Sequence, residues 1–540
     1  MPILDWIGKK QVINHDKEVP FRLLKRVHSL SVGESENLII KGDNLEALKA
    51  LLPYYYNKVK CIYIDPPYNT GNENWIYNDR VNSPEMKKWL GRVVGSEGED
   101  LSRHDKWLCM MYPRLKLLRE LLSDDGVIFV SIDDDEQHHL RMLMSEIFGA
   151  ENFVTNIIWQ KKYSPQNDAK YFSDMHDFMV VYAKHKNNGN GTRVWVRNLL
   201  PRTDEQDARY TNSDNDPRGD WKPSDLSAKR VTPKDIYEII TPSGRKVLPP
   251  RGRSWSVSKE RFEDLLKNNR IWFGKSGNSI PSLKRFRSEV QEGSVPLTLW
   301  FREEVGDNQE AKQILKQIFP DSNLPFETPK PVRLIKRIIQ LSCNKDDIIL
   351  DSFAGSGTTA HAVLEMNKED GGNRKFILVE MEDEIARNVT AERVKRVIKG
   401  YSYKNSKGEG IRVEGLAPDR SIRGGFQFMN LDTELFDAHG LINDNIDYID
   451  LARYIFFSET KFDLKEKALK DYFIGERNGT EYYLIYKQGK ENILNEKTAS
   501  KLKTTDKEKM VYADNCTLDA ETIDELKIIF KQIPYEVRGF

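Results

Sequence analysis

Cysteine is scarce in this chain of 540 residues: the four are Cys61, Cys109, Cys343 and Cys516. They lie too far apart for a zinc-binding pattern or a disulfide framework, so we expect no metal and a reducing, cytoplasmic location. An amino-terminal signal pattern is also missing, and no apolar run approaches the ~18 residues of a membrane helix. These absences exclude a secreted disulfide scaffold and predict no membrane attachment.

Net charge is missing too, because 83 Lys and Arg residues balance 83 Asp and Glu residues. Any attraction to nucleic acid must therefore come from a local patch of charge. A chain of this length is too long for one hydrophobic core and predicts two to four domains.

A basic patch begins where the composition changes, near Lys186. Residues 186–290 hold 22 Lys and Arg residues against 13 Asp and Glu residues. Aromatic side chains interleave with the basic ones, as in surfaces that pair phosphates and stack bases. A solvated basic face is the alternative reading of the charge alone. The candidate DNA-contacting residues are Arg251, Arg253, Trp255, Arg261, Arg270, Trp272, Lys284, Arg285 and Arg287.

The tetrapeptide Asp65-Pro66-Pro67-Tyr68 follows a short apolar run, residues 60–64, that predicts a buried parallel strand. Two prolines end the strand and hold the chain extended. A carboxylate and a carbonyl then stand at the carboxyl end of a strand, where ligands bind in open α/β sheets. Two such acceptors suit the two hydrogens of an –NH2 group, and an aromatic ring beside them suits a planar base. Alone, the tetrapeptide could equally be a proline turn.

A glycine turn, Phe353-Ala354-Gly355-Ser356-Gly357, lies between a predicted strand at 347–351 and a helix. It lacks the third glycine of a dinucleotide-binding fingerprint, since Ala360 stands there, and no Gly-Lys-Ser/Thr of a phosphate loop follows. The next strand, 376–380, ends in Glu380, at about the distance where such folds bind ribose hydroxyls. The turn therefore favours the amino-acid tail of a ligand over a pyrophosphate.

Together, the tetrapeptide and the downstream glycine turn resemble the amino-group DNA methyltransferases that use S-adenosylmethionine. The order of the two motifs is similar to the β class. Asn69-Thr70-Gly71 and the stretch 97–135 resemble the Mod subunits of type III restriction-modification systems. The resemblance covers roughly residues 36–400. It implies an α/β, Rossmann-like methyltransferase fold with a circularly permuted motif order, and S-adenosylmethionine as cofactor.

The resemblance also assigns site residues. Asp65, Pro66, Pro67 and Tyr68 would be catalytic, and Lys330 would meet the carboxylate end of the cofactor. Asp43 either caps the following helix, the commoner role for Asp there, or lies beside the cofactor's adenine, or does both. The implied cofactor-binding set is Asp43, Asp65, Lys330, Asp351, Phe353, Ala354, Gly355, Gly357 and Glu380.

Asp at position 65, where cytosine-amino enzymes usually carry Ser, favours adenine N6 as the methyl acceptor. The base would be flipped out of the duplex and stacked on Tyr68. Attack on a ring carbon would need a nucleophilic cysteine, and Cys61, in mid-strand, is not placed for it.

The predicted domains are an amino-terminal arm (1–35), a catalytic domain (36–185 and 325–400), a target-recognition domain (186–324) and a carboxy-terminal α/β assembly domain (401–540). The predicted partners are duplex DNA, a second copy of the chain and an ATP-dependent restriction subunit.

Three rival functions remain open. A ribosomal-RNA guanine methyltransferase can share the tetrapeptide, but usually lacks a long basic insert before a relocated glycine turn. A non-catalytic specificity subunit would have no reason to keep Asp65, Gly355 and Glu380 together. A nicotinamide enzyme needs the missing glycine. Apart from these three, an orphan methyltransferase without a restriction partner is a further alternative, and it would have the same chemistry.

Residues 21–30 are predicted to form a short helix, and 157–159 with 178–182 an antiparallel edge pair. Residues 133–135 should cap the next helix, whose His138 and His139 should lie on the surface. In the loop after the tetrapeptide, Trp75, Tyr77 and Trp89 would hold DNA or pin the loop to the core.

Overall fold

The computed structural model describes residues 3–70, 88, 91, 102–322, 326–416, 424–437 and 439–534. Gly71, Trp75, Tyr77 and Trp89, for which the sequence analysis made predictions, lie outside these residues. The chain divides into two compact units, one formed by residues 1–198 and 297–540 and the other by residues 199–296.

The strands, numbered along the chain, are β1 (Arg22–Arg26), β2 (Leu38–Lys41), β3 (Val59–Ile64), β4 (Leu122–Ile132), β5 (Phe153–Gln160), β6 (His176–Ala183), β7 (Trp221–Asp225), β8 (Ser227–Ala228), β9 (Ile239–Ile240), β10 (Lys246–Val247), β11 (Ser254–Trp255), β12 (Ile271–Trp272), β13 (Ser282–Phe286), β14 (Leu299–Trp300), β15 (Ile348–Asp351), β16 (Lys375–Glu380), β17 (Gly400–Lys404), β18 (Gly410–Glu414), β19 (Gln427–Glu434), β20 (Phe473–Arg477), β21 (Thr480–Leu484), β22 (Ile493–Leu494), β23 (Glu508–Ala513), β24 (Asn515–Cys516) and β25 (Ile528–Gln532).

The α-helices are α1 (Lys9–Val12), α2 (His15–Glu18), α3 (Asn44–Tyr55), α4 (Arg103–Leu121), α5 (Gln137–Phe148), α6 (Asp204–Asp207), α7 (Lys259–Lys267), α8 (Arg302–Val305), α9 (Asn308–Ile318), α10 (Val332–Ser342), α11 (Thr358–Asp370), α12 (Asp383–Ile385), α13 (Glu392–Lys399), α14 (Tyr448–Thr460), α15 (Glu496–Ala499) and α16 (Ala520–Glu525).

A mixed ten-stranded sheet organises the larger unit, in the order β1-β19-β2-β16-β15-β3-β4-β6-β5-β14. The strands from β2 to β4 run parallel, whereas β6 is antiparallel to both of its neighbours. Alternate residues of the parallel strands, such as Ile62, Ile64, Ile128 and Val130, pack in one core with apolar residues of α3, α4 and α5. The observed fold is thus α/β with a large mixed central sheet.

Parallel pairing brings the carboxyl ends of five strands to one edge of the sheet. β2 leads into Asp43, β3 into Asp65 and β4 into Asp133, whereas β15 and β16 end in Asp351 and Glu380. Ligands of open α/β sheets bind at such an edge. The fold therefore gathers the tetrapeptide and the glycine turn, which lie far apart in sequence, at one place.

The prediction of a helix at residues 21–30 is wrong, because β1 lies there and pairs with β19. The antiparallel pairing of β5 with β6 is confirmed, although short β14 adds a parallel strand outside β5. None of the described helices is long and apolar enough to cross a membrane.

Residues 401–540 do not form a separate unit. β19 pairs parallel with β2 and antiparallel with β1 inside the central sheet. A smaller sheet, β20-β21-β23-β25, follows α14. Removing residues 401–540 would therefore expose the edge of β2. The predicted domain boundary at residue 401 is wrong, because the central sheet contains strands from both sides of it.

The second unit, residues 199–296, is narrower than the predicted 186–324. It is built from short antiparallel pairings, chiefly β12-β13-β7, around a core that contains Trp255, Phe262 and Phe273. Residues 199–290 of the basic stretch therefore fold as a body of their own, whereas residues 186–198 belong to the larger unit.

Candidate active site

Asp65 directly follows β3, and its carboxylate is paired with Lys330. Its Oδ2 lies 2.5 Å from the Lys330 Nζ, and the two side chains are only 14% and 8% exposed. Its Oδ1 is buried with no hydrogen-bond partner among the described residues. Leaving a buried acceptor unsatisfied costs ~1–3 kcal/mol. One oxygen of Asp65 is thus fixed, and the other is ready to receive a donor.

The two proline carbonyls differ in their surroundings. The Trp107 indole Nε1 of α4 donates to the Pro67 carbonyl at 2.6 Å. The Pro66 carbonyl accepts no hydrogen bond within the described part of the chain. Asp65 Oδ1 and the Pro66 carbonyl are therefore the two acceptors that the tetrapeptide leaves open.

Tyr68 supplies the aromatic face. Its ring is buried, the Lys330 Nζ lies 5.1 Å from the ring centroid, and its hydroxyl also lacks a hydrogen-bond partner among the described residues. Burial raises the pKa of Tyr68 well above 10, and the Asp177 and Asp65 carboxylates add to the rise. The ring is therefore neutral and suited to stacking on a planar ligand.

Lys330 binds a different partner from the one expected. The resemblance assigned it to the cofactor's carboxylate, whereas here it is paired with the carboxylate of Asp65. The Lys330 carbonyl also accepts a bond from Thr358 Oγ1 at 3.2 Å, which ties it to the start of α11. Lys330 thus links the tetrapeptide to the glycine turn.

The glycine turn has the backbone geometry that its sequence predicts. Gly355 and Gly357 have φ of +50° and +77°, a region that L side chains rarely adopt. A Cβ at Gly357 would lie 3.3 Å from Thr390. The Gly355 N–H donates to Glu380 Oε2 at 2.8 Å, and Thr390 Oγ1 donates to the Gly355 carbonyl at 2.6 Å. Glu380 therefore supports the turn as well as standing at the end of β16.

Asp351, the last residue of β15, also stabilises the glycine turn. It is buried, and accepts hydrogen bonds from Thr359 Oγ1 at 2.6 Å and from the Phe353 N–H at 3.1 Å. Burial raises the pKa of Asp351 to about 7. Phe353 is half-buried and Ala354 is buried. Thr359 was missed, although its place in the first turn of α11 put it within reach of the strand end.

Asp43 is the amino-terminal cap of α3, as predicted, accepting from the Leu45 N–H at 2.8 Å. It also pairs with Arg114 of α4 at 3.1 Å, and that guanidinium side chain is only 1% exposed. Arg114 was missed, yet an arginine among the apolar residues of a core helix was the available signal, because buried cations need a partner.

Asp177 is another residue that sequence reasoning missed. It lies at the start of β6, is 3% exposed, and pairs with the Lys161 Nζ at 2.6 Å. Burial raises the pKa of Asp177, while Lys161 and Lys330 oppose the rise. An acid at the head of an otherwise apolar strand was the only clue to this second buried ion pair beside Asp65.

Two expectations about the start of α5 are wrong. No side chain caps this helix, and Asp133 Oδ1 instead accepts from the Asp135 N–H at 3.0 Å. His139 is not a free surface residue, since it lies 2.8 Å from Glu136, which His104 also contacts. His138 is exposed as predicted, so the surface prediction fails only for His139. His139 lies three residues after Glu136, and this spacing brings the two side chains together at the start of the helix.

Burial raises the pKa of Asp133 to about 7, and the Asp135 carboxylate adds to the rise. The folded state thus holds this proton more tightly than the unfolded chain. The resulting stabilisation is present below the unfolded pKa of ~3.9 and is lost as pH rises through about 7.

We therefore expect Asp133→Asn to raise the free energy of unfolding at pH 8 by roughly 1–2 kcal/mol, since partial exposure reduces the ~4 kcal/mol that a rise of the pKa from ~3.9 to about 7 would represent. The gain should shrink toward pH 4. Urea unfolding across pH measures it, with exposed Asp134→Asn as the control. An equal change at every pH would contradict the raised pKa.

The predicted DNA-contacting residues fall into two groups: two are buried, and the others keep some exposure to solvent. Trp255 is 1% exposed in the core of the inserted unit, and Lys284 is also 1% exposed and pairs with Asp214 and Asp216. Both assignments are corrected to structural roles, because neither side chain reaches a surface. The charge count could not reveal this.

The remaining candidates keep some exposure. Arg251, Arg261 and Arg285 are exposed. Arg253, Arg270 and Arg287 are half-buried in ion pairs with Asp225, Glu289 and Asp207. Trp272 is half-buried against Trp221. The three exposed arginines are the ones placed to meet a phosphate directly.

Among the described residues, the sheet edge thus carries two unsatisfied acceptors, an aromatic ring and a glycine turn. The family model described as DNA methylase, for N6 and N4 methyltransferases, matches residues 59–392. The chain belongs to this family, which confirms the resemblance seen in its motifs.

Among its relatives, the chain is 37% identical over 372 residues to the type III restriction-modification enzyme StyLTI Mod subunit of Salmonella typhimurium, covering 66% of this chain and 54% of that protein. It is 30% identical over 474 residues to the EcoP15I Mod subunit of Escherichia coli, covering 77% and 71%. It is 32% identical over 363 residues to the type II methyltransferase M.KpnI of Klebsiella pneumoniae, covering 63% and 79%. The chain spans about half the length of the StyLTI relative.

Among solved structures, a putative DNA modification methylase from Thermus thermophilus, complexed with S-adenosyl-L-methionine, is 14% identical with a TM-score of 0.30. That comparison covers 73% of this chain and 100% of the other.

Proposed function

We propose that this protein transfers a methyl group from S-adenosylmethionine to the N6 amine of an adenine in duplex DNA. The observation that carries the proposal is that the buried Oδ1 of Asp65 and the carbonyl of the next residue, Pro66, both lack a hydrogen-bond donor among the described residues. Two acceptors at this point match the two hydrogens of an exocyclic amine.

The residues of the turn fit the proposed cofactor. Positive φ at Gly355 and Gly357 suits residues without the Cβ atoms that would keep a ligand from the backbone. Glu380 is a buried carboxylate at the end of β16, and carboxylate oxygens suit the hydroxyl groups of a ribose. S-adenosylmethionine would supply an electrophilic methyl group on a sulfonium.

The tetrapeptide would act on the amine by geometry and charge. The lone pair of the amine is delocalised into the base. When Asp65 Oδ1 and the Pro66 carbonyl accept the two hydrogens of the amine, they favour a tetrahedral nitrogen whose lone pair is directed outward. Lys330 fixes the other Asp65 oxygen, so the acceptor does not have to reorganise. The sulfonium would supply the methyl group, and Asp65 Oδ1, which accepts from the amine, would receive the proton that the nitrogen loses on methylation.

Such a site cannot reach an amine inside a stacked duplex. The target base would be rotated out and held against Tyr68, whose buried neutral ring suits stacking. The direct test is transfer of a labelled methyl group to duplex DNA, with RNA of the same sequence as the alternative acceptor. Transfer to RNA alone would overturn the proposal in favour of an RNA methyltransferase.

The inserted unit would hold the DNA through its exposed arginines, a role that its compact fold and basic charge support. We expect binding to weaken steeply with salt although the chain has no net charge. The triple change Arg251→Glu, Arg261→Glu and Arg285→Glu should flatten the slope of log K against log[salt] by up to about 2.7, since each phosphate contact contributes ~0.9.

The control variant replaces three exposed lysines of the carboxy-terminal region with Glu, namely Lys467, Lys490 and Lys497. It therefore changes the total charge by the same amount. Fluorescence anisotropy from about 50 to 200 mM salt measures both variants. Equal slopes in the two variants would mean that these arginines do not form the DNA interface.

We further propose that the protein is the modification subunit of a type III system in the cytoplasm, works as a dimer and pairs with an ATP-dependent restriction subunit. The Mod subunits among its relatives support this. Light scattering should give twice 62.7 kDa, and affinity capture from extract should recover a protein with ATPase and nuclease activity. A monomer that captures no such protein would contradict the assembly and leave the methyl transfer standing.

A further inference from the structure

Glu136 is a buried carboxylate that the proposed chemistry does not use. It immediately precedes α5, and its side chain is 0% exposed. Its Oε1 lies 2.7 Å from His104 Nδ1 and 2.5 Å from the Asn69 amide nitrogen, and its Oε2 lies 2.8 Å from His139 Nδ1. Three neighbours from three parts of the chain therefore converge on one buried anion.

Asn69 directly follows Tyr68, and hydrogen bonds hold both its side chain and its backbone. Its φ of +61° lies in the left-handed region, and the residue is 4% exposed. Besides bonding to Glu136, its amide donates to the Arg103 carbonyl at 3.1 Å. The Arg103 guanidinium donates back to the Asn69 carbonyl at 2.8 Å. The backbone direction just after the tetrapeptide is thus fixed by side chains.

The first turn of α4 supplies the side chains that hold Asn69 in place. Arg103 and His104 act on Asn69 and Glu136, and Trp107, on the next turn, donates to the Pro67 carbonyl. Contacts on Pro67 and Asn69 bracket Tyr68 on both sides. Movement of this turn would therefore move the aromatic ring and the open acceptors together.

The two histidines and Glu136 have the residue types of a metal site, but their spacing is that of hydrogen bonds. The distances of 2.7 and 2.8 Å are those of a carboxylate accepting from imidazole N–H groups. Arg103 Nε donates to His104 Nε2 at 3.4 Å, which leaves the Nδ1 of His104 as the donor to Glu136. A guanidinium on that ring also disfavours a second cation.

We propose that Glu136 is a positioning residue, which locks Asn69 and thereby holds Tyr68 and the two open acceptors in the geometry of transfer. This inference rests on the proposed methyl transfer. Because Glu136 acts on geometry after the ligands bind, its loss should lower kcat while leaving the KM for DNA and the Kd for S-adenosylmethionine nearly unchanged.

The test measures single-turnover transfer, DNA KM and cofactor binding for Glu136→Ala, Glu136→Gln and Asn69→Gly. We expect Glu136→Ala to lower kcat at least about tenfold, within the ~100-fold that a 1 Å misplacement can cost. Glu136→Gln keeps an acceptor and should recover part of the rate. Asn69→Gly tolerates the left-handed backbone but breaks the bond to Glu136, so it should also lower kcat and remains informative if Glu136→Ala does not fold.

The double variant Glu136→Ala with Asn69→Gly should be no slower than the worse single variant, since both remove the same link. Glu481→Ala is the matched control: Glu481 is 1% exposed and accepts from the Tyr483 hydroxyl, in the carboxy-terminal sheet. It should lose stability but keep the wild-type kcat.

Unchanged kcat in Glu136→Ala and Asn69→Gly, or rate losses that multiply in the double variant, would overturn the positioning role. A fall in kcat for Glu481→Ala equal to that for Glu136→Ala would overturn it as well, by showing a general stability effect. If the wild-type protein transfers no methyl group, the proposed function itself fails, which is a distinct result.

Discussion

Asp65→Asn is expected to lower the single-turnover rate of methyl transfer by about 10³-fold while cofactor affinity stays within a few-fold. The substitution preserves shape but replaces a charged acceptor, aimed at the amine, with a neutral amide. Removing one preorganised polar group at a reacting centre typically costs roughly 10²–10³ in rate. The glycine turn follows β15 and is held by Glu380 and Thr390, so it should keep its geometry.

The substitution also leaves Lys330 buried without its anion, and breaking such a pair costs ~3–5 kcal/mol. Activity must therefore be separated from unfolding. The double variant Asp65→Asn with Lys330→Met removes the unpaired charge and should recover much of the lost Tm without recovering activity. Recovery of methyl transfer in the double variant, or full activity in Asp65→Asn, would show that Asp65 is not the acceptor.

The second large effect is expected at the glycine turn. Gly355→Val places a branched side chain at a φ of +50° and should abolish S-adenosylmethionine binding. Glu380→Ala removes both a charged acceptor and the partner of the Gly355 N–H. It should weaken binding by ~1.5–3 kcal/mol, roughly 10- to 150-fold.

Calorimetry with S-adenosylmethionine measures both effects. Gly371→Val is the matched control, because Gly371 also has a positive φ, +68°, but has open space around it at the end of α11. It carries a comparable backbone strain without touching the turn, so its cofactor affinity should match the wild type. Normal binding by Gly355→Val and Glu380→Ala would place the cofactor elsewhere.

Local patterns predicted the catalytic half of the molecule well. The apolar run before Asp65 is β3, and the glycine turn follows β15, because a buried strand and a positive-φ turn are encoded by neighbouring residues. The pairing of β19 with β2 could not be foreseen, since it joins residues such as Gln427 and Leu38 that lie far apart in the chain. Non-local pairing leaves no periodicity that a single sequence reveals.

Charge and residue type were weaker guides than spacing. Lys284 and Trp255 belong to a basic, aromatic stretch, yet both are buried, because composition does not say which face a short strand presents. Asp177 and Glu136 show the reverse: the sequence suggested no role for either acid, yet both are buried. Their partners come from other segments of the chain, so only the fold identifies them.

The most direct measurement is mass spectrometry of the nucleosides of duplex DNA after incubation with the purified protein and S-adenosylmethionine labelled in its methyl group. The acceptor geometry at Asp65 and Pro66 predicts labelled N6-methyladenine from the wild-type protein and none above background from Asp65→Asn. Labelled N4-methylcytosine in place of N6-methyladenine would contradict the assignment of adenine. Equal product from both proteins would contradict the account of the site.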